Sequence, residues 1–252
     1  MWRILLYGHF TEHVPRIRAE LPHGICGGRR RHGGAYWIGG YLDTHLPWDP
    51  QQCRVSPGTR LLALMVTFLV DPRALYRIPA FYTEWDCAVL FGAERQPADF
   101  NDDAMGRALE KLFESQASQI HTGLGTQAVE RLGLDPTPPR HCDTTRLTLM
   151  GQYPDPGAGS QPAYGHNKDG HGHPDCKQLV VEVVARTDGL PYAVDVCDGN
   201  MDDPTWSRQA VLNTGSTLVA DVRATLLFVA DSKISSCFSS GDKAIVVTLL
   251  IS

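Results

Sequence analysis

This 252-residue chain is defined first by what it has little of. No apolar run approaches the roughly 20 residues that a membrane-crossing helix needs. The longest helical apolar stretch, Arg60–Val70, is too short to span. No basic segment, apolar segment and small-residue cleavage site follow one another at the N-terminus, so no signal peptide is expected. Cysteines stand at 26, 53, 87, 142, 176, 197 and 237, with no C-x-x-C pair. An odd, scattered set fits a reducing cytoplasm better than a disulfide framework. A basic excess is also missing. The net charge is −5, whereas nucleic-acid proteins usually show a basic face, so any DNA contact must come from a local patch. Finally, no glutamate follows Glu182.

What is present is ordinary for a folded protein. Hydrophobic residues make up 42% and charged residues 20%, enough for one large domain or two small ones. Residues 1–55 are hard to read. Gly27–Gly34 is rich in Gly and Arg, and Arg29, Arg30 and Arg31 read as a solvated loop more readily than as phosphate contacts. Trp37–Leu42 reads as a short strand or an anchor.

From Ser56 the texture becomes helical. Ser56-Pro57 is a helix start, with Ser as N-cap and Pro in the first turn. Thr59–Val70 follows as a buried helix, stopped by Asp71-Pro72. Arg73–Trp85 and Asp86–Phe91 read as shorter helical segments. Asn101-Asp102-Asp103 caps a helix whose Met105, Leu109, Leu112 and Phe113 recur at helical spacing and are expected in the core. A further helix, Ser118–Leu132, ends at Gly133. Pro136, Pro138 and Pro139 then make a stiff linker. The expected division is a helical domain over 56–136 and a strand-rich region over 137–252.

That second region reads as three antiparallel strands, a helix and another strand. The strands are 141–149, 179–186 and 191–197, the last two joined by a turn at Asp188-Gly189. A helix is expected from Asp202 to about Leu212, then the strand Leu226–Ala230. A last strand, Ala244–Leu250, is also expected. This is the order of a ribonuclease-H-like core. The expected class is α+β: a helical N-terminal region, then a partial ribonuclease-H-like mixed sheet with flanking helices. Asp143 lies near the start of the first strand and Asp231 directly follows the fourth. Two acids at the ends of neighbouring strands converge on one another, which is how a carboxylate site for a divalent metal is built.

Several segments, in order, carry a family resemblance. They are S-P-G-T-R-L-L-A-L from Ser56, A-L-Y-R-I-P-A-F-Y from Ala74 and F-N-D-D-A-M-G-R-A-L-E-K-L from Phe100. Next come H-C-D-T-T at His141 and K-D-x-x-x-H-P-D-C-K-Q, ending at Gln178. The series closes with D-G-L-P at Asp188, G-N-M-D-D at Gly199 and F-V-A-D-S at Phe228. The series resembles the bacterial insertion-sequence transposases of the DDE type, in the branch related to the IS-four group, and covers about residues 40 to 240. The resemblance implies hydrolysis of a DNA phosphodiester at a transposon end, then attack of the freed 3′-hydroxyl on target DNA. It implies Mg²⁺ (or Mn²⁺) held by Asp143 and Asp231, with two ions acting on the attacking and leaving oxygens. It implies DNA as partner, with Lys168, Lys177 and Gln178 as DNA-binding residues of the loop. Lys168, Asp169, Asp175, Lys177 and Gln178 read equally as a solvated charged loop.

The family's third ligand is a Glu well downstream of the second Asp, and only Asp242 follows Asp231. The expectation is therefore a C-terminally truncated, catalytically incomplete copy. Asp221 in V-A-D-V-R is a rival second ligand, although D-S-K-I-S at Asp231 suits the family better. Two alternatives stand beside the transposase: a non-enzymatic protein that binds DNA or transposase, and a small metal-binding protein. The latter would use His166, His171 and His173 with Asp175 and Cys176 to hold Zn²⁺ or Ni²⁺, at a spacing that matches no standard zinc pattern. Asn200 reads as a turn residue suited to left-handed backbone. A sheet without all its covering helices should expose apolar surface, so poor solubility or homo-oligomerisation is expected.

Overall fold

The computed structural model describes residues 36–92, 94–151, 153, 159–165, 175–201, 227–230 and 245–248. For 227–230 and 245–248 the backbone alone is described. Helices come first: α1 Tyr36–His45, α2 Pro57–Val70, α3 Ile78–Tyr82, α4 Cys87–Phe91, α5 Asp102–Glu114 and α6 Ala117–Leu132. Short 3₁₀ turns at Leu75–Arg77 and Pro97–Phe100 lie between them. The strands follow: β1 Arg140–Leu149, β2 Lys177–Arg186, β3 Pro191–Cys197, β4 Leu227–Ala230 and β5 Ile245–Thr248. The contacts divide the chain between Ile120 and His121. The sequence placed that division at Pro136–Arg140. The difference is most of α6, whose residues from His121 onward belong with the sheet.

In the helical unit local chemistry sets the boundaries. Ser56 caps α2 by accepting from the Thr59 N–H, with Pro57 in the first turn. Asp86 caps α4 by accepting from Ala88 and Val89, and Asn101 caps α5 by accepting from Ala104. The core is aromatic. Tyr82 and Phe100 are fully buried, and Phe100 packs between the rings of Tyr82 and Phe91, with centroids 5.0 Å away in each case. The Tyr82 hydroxyl donates to the Ala63 carbonyl at 2.6 Å, and burial pushes its pKa up to about 12. Met105 is buried as expected, but Phe113 is 56% exposed. It sits in the last turn of α5, two residues before the C-cap Ser115.

Trp37–Leu42 is neither a strand nor a mere anchor; it lies in α1. Gly39 and Gly40 are poor helix formers, and packing overrides that preference. A Cβ on Gly58 would stand 2.2 Å from the Gly39 carbonyl oxygen, so α1 and α2 meet where neither has a side chain. Asp43 of α1 accepts from the Gly58 N–H at 2.7 Å.

The sheet has the order β3-β2-β1-β4-β5. β1 pairs antiparallel with β2, and β2 with β3. β1 then pairs parallel with β4, and β4 with β5. Three antiparallel strands followed by a parallel step from the first to the fourth is the ribonuclease-H-like arrangement, so the chain is α+β. The helix expected over Asp202–Leu212 lies outside the described residues.

β2 alternates in burial with polar residues on its inner side. Gln178, Val180, Glu182, Val184 and Arg186 are buried, whereas Leu179, Val181, Val183 and Ala185 are half-buried. α6 closes on β3: a Cβ on Gly125 would stand 2.7 Å from the Tyr192 carbonyl oxygen. The Thr126 and Tyr192 hydroxyls are 2.8 Å apart.

Candidate functional site

Asp143 sits on β1, opposite Val183 of β2, which is opposite Val194 of β3. It is exposed, as are His141 and Thr145 two residues to either side, while Cys142 is buried. Strand alternation therefore presents His141, Asp143 and Thr145 on one face. The Thr144 N–H donates to Asp143 Oδ1 at 2.8 Å, which orients the carboxylate. The other face of β1 faces the core.

The start of β1 is fixed by two buried arginines that the sequence reading did not single out. Arg140 and Arg186 are directly opposite each other and 0% and 3% exposed. Arg140 donates to the carbonyls of Pro138 at 2.5 Å and Pro136 at 3.0 Å, and its guanidinium lies 4.9 Å from the centroid of the Tyr192 ring. Arg186 donates to the Asp135 carbonyl at 2.7 Å and to the Asp188 carboxylate at 2.8 Å. Burial, and then the neighbouring Arg186, lower the Arg140 pKa. Arg186 in turn holds Asp188 below the usual carboxylate range. Together the two guanidiniums bind the linker 135–139 to the paired ends of β1 and β2, three residues before Asp143. The available signal was phase: both arginines share the alternation of buried Val184 and Cys142.

The loop residues are placed differently. Lys177 and Gln178 are opposite Leu149 and Thr148. They are thus five or six strand residues from Asp143's row, roughly 17–20 Å at ~3.4 Å per residue. The Lys177 ammonium donates to the Tyr153 carbonyl at 2.8 Å. Gln178 is 6% exposed, and its amide donates to the Gly199 carbonyl at 2.8 Å. Its backbone also bridges Ala163. Gly199 is needed there, because a Cβ would stand 1.9 Å from the Gln178 carbonyl oxygen. These contacts tie the 161–165 segment and the end of β3 onto β2, and they do not bring Lys177 or Gln178 to Asp143. Asn200 lies in a turn as expected, but not in left-handed backbone: among the described non-glycine residues only Glu94 and Gln116 have positive φ.

Asp231, Asp221, Lys168, Asp169, His166, His171 and His173 lie outside the described residues. Among the described residues no group of three or more His, Cys, Asp or Glu is arranged to hold a metal ion. Glu182 does not join Asp143. It is opposite Thr144, and so on the other, buried face.

No helix among the described residues is long and apolar enough to cross a membrane. Residues 35–126 match a domain of unknown function, DUF4277. No curated protein matches the chain. Among solved structures, the chain is similar to the Mos1 transposase in its paired-end complex with the left transposon end. The TM-score is 0.27 and the identity 11%, over 70% of this chain and 59% of that chain. The match therefore spans less than two thirds of that structure.

Proposed function

We propose that this chain is a DNA-transposition protein of the DDE type, from a bacterial insertion sequence, and that its β-sheet supplies two carboxylates of a divalent-metal site. The observation that supports this reading is the parallel pairing of β1 with β4. Arg140 is opposite Phe228 and His141 opposite Val229. Asp143 and Asp231 are separated in sequence by the same number of residues as each of these pairs. A parallel sheet step of this sense is how two acids on non-adjacent segments become neighbours.

Asp143 fits such a role. It is an exposed carboxylate, oriented by a backbone N–H, and its oxygens suit a hard cation. Asp143 and Asp231 would hold Mg²⁺ or Mn²⁺. When bound, the metal would polarise a phosphodiester and lower the pKa of an attacking oxygen. The chain's own part would be to hold one carboxylate on β1 and one just after its neighbour β4, with the β1 start locked by Arg140 and Arg186. Glu182 lies on the buried face of the sheet and does not join Asp143. The activity proposed for this chain is metal-dependent DNA binding.

The test is DNA binding by the full chain, followed by fluorescence anisotropy with and without Mn²⁺. Wild type should bind a duplex more tightly with the metal, and Asp143→Asn should lose that increment while melting at the wild-type temperature. Metal-independent binding that is equal in both proteins would favour a non-enzymatic DNA-binding protein. Absence of binding at low salt would remove DNA from the account.

A further inference from the structure

The helical unit gathers a cluster of arginines that the sheet chemistry does not use. Arg54, Arg60, Arg95 and Arg107 come from separate stretches of the chain: the segment before α2, α2 itself, the segment before the Pro97–Phe100 turn, and α5. Three of them meet at one ion pair. The Arg54 guanidinium binds the Asp99 carboxylate, which also accepts from the Gln96 N–H at 2.8 Å. Arg60 Nε donates to the Asp99 carbonyl at 3.5 Å, and Arg95 Nη1 donates to the Arg54 carbonyl at 2.9 Å. Arg107 comes from α5, which packs on α2, and its charge acts on Arg60.

Charge and hydrogen bonding are both left incomplete there. The acids that act on these arginines are Asp99 and Glu94, so cations outnumber anions, and crowded like charges repel. Burial lowers the Arg60 pKa most, and Arg107 and Arg95 lower it further against Cys53 and Asp99. Arg95 Nε is buried with no hydrogen-bond partner, and a buried donor left unpaired is costly. Among the described residues, the terminal nitrogens of Arg60 donate to nothing and exposed Arg107 has no hydrogen bond or ion pair. A guanidinium is a planar fork of N–H donors. Several such forks together offer more donors than the two oxygens of one carboxylate use, and they suit a tetrahedral oxyanion.

We propose that Arg60, Arg95 and Arg107 form a binding site for a phosphate group, with the Arg54–Asp99 pair as the support that holds Arg60 and Arg95 in place. The phosphate is either free or part of a nucleic-acid backbone, since both present tetrahedral oxygens to the arginines. The site lies wholly within the helical unit and goes beyond the metal reading, which concerns Asp143 and Asp231.

The experiment uses the full chain in EDTA, so that no metal at Asp143 takes part. Inorganic phosphate is titrated at constant ionic strength while the melting temperature is read, because a ligand of the folded state raises it. A DNA duplex is titrated by fluorescence anisotropy at several salt concentrations. Phosphate should stabilise wild type. Arg107→Gln should melt at the wild-type temperature without phosphate and bind phosphate about tenfold more weakly or worse, as loss of charge-assisted hydrogen bonds implies. Arg60→Gln should weaken it similarly. Arg77→Gln, which removes the same charge from an exposed position on the Leu75–Arg77 turn, should bind phosphate as wild type does. Where DNA supplies the phosphate, Arg107→Gln should also weaken duplex binding and lower its salt slope by about one. Duplex binding equal in wild type and Arg107→Gln, with the phosphate effect kept, assigns the site to free phosphate. Phosphate and duplex responses that are the same in wild type, Arg107→Gln and Arg60→Gln would overturn the proposal. An equal loss in Arg77→Gln would overturn it as well, because net charge alone would then explain the effect. The metal increment at Asp143 is measured separately, so either reading can fail without the other.

Discussion

The two units of this chain are stabilised in opposite ways. The helical unit buries hydrocarbon: Phe81, Tyr82, Phe91, Phe100 and Met105 form one cluster, and among the described residues its buried polar ones are Ser56 and Thr67. Each of those finds a local partner, Ser56 as a helix cap and Thr67 on the Ala63 carbonyl at 2.9 Å. The sheet unit buries polar groups: Thr122, Arg140, Gln178, Glu182 and Arg186 are all under 9% exposed. Burial of apolar surface is non-directional and tolerates repacking. Buried charge and amide groups depend on particular partners, and leaving one unmatched is costly. The helical unit should therefore fail gradually under mutation, and the sheet unit should fail at specific atoms.

The largest test of that contrast is Phe100→Ala. Removing a fully buried ring from between Tyr82 and Phe91 should destabilise the helical unit by about 3–5 kcal/mol. Denaturant melting would measure the loss, and amide exchange in β1–β3 should stay protected. Loss of that protection would mean that the sheet depends on the aromatic core. Next is Arg140→Met, which keeps much of the volume and removes the donors to Pro136 and Pro138. It should cost about 2–4 kcal/mol in the sheet unit, with amide exchange rising first at the start of β1. A neutral result would show that the sheet tolerates apolar replacement as the helical core does. The smallest is Ser56→Ala, which deletes one N-cap and should cost about 1 kcal/mol. A loss several times larger would mean that even the helical unit depends on single polar contacts.

Much of this architecture was legible in the chain. The caps at Ser56, Asp86 and Asn101 are local chemistry, so α2, α4 and α5 could be placed closely. Alternation marked β1, β2 and β3, and Asp188-Gly189 marked their turn, where Gly189 has φ of 84°. The ribonuclease-H-like order followed from strand sequence, and Asp143 lies on an exposed strand face. Where reading and structure differ, distant packing is the cause. α1 was misread because Gly39 and Gly40 argue against a helix until Gly58 is packed against it. Gln178, which the family resemblance counts with the DNA-binding loop, is placed by register five residues from Asp143's row with its amide buried.

β2 shows most directly what sequence determines and what it does not. Its residues K-Q-L-V-V-E-V-V-A-R state that it is a strand, because apolar and β-branched side chains suit a pleated surface. They do not state which face is inside. Leu179, Val181, Val183 and Ala185 form the more apolar row, yet the row with Gln178, Glu182 and Arg186 is the buried one. Local sequence fixes backbone conformation through propensity, capping and turn chemistry, which act within a few residues. Facing is settled by what arrives from elsewhere. Here α6 approaches through Gly125 to lie on Tyr192, and a carboxyl group follows its strand into the interior.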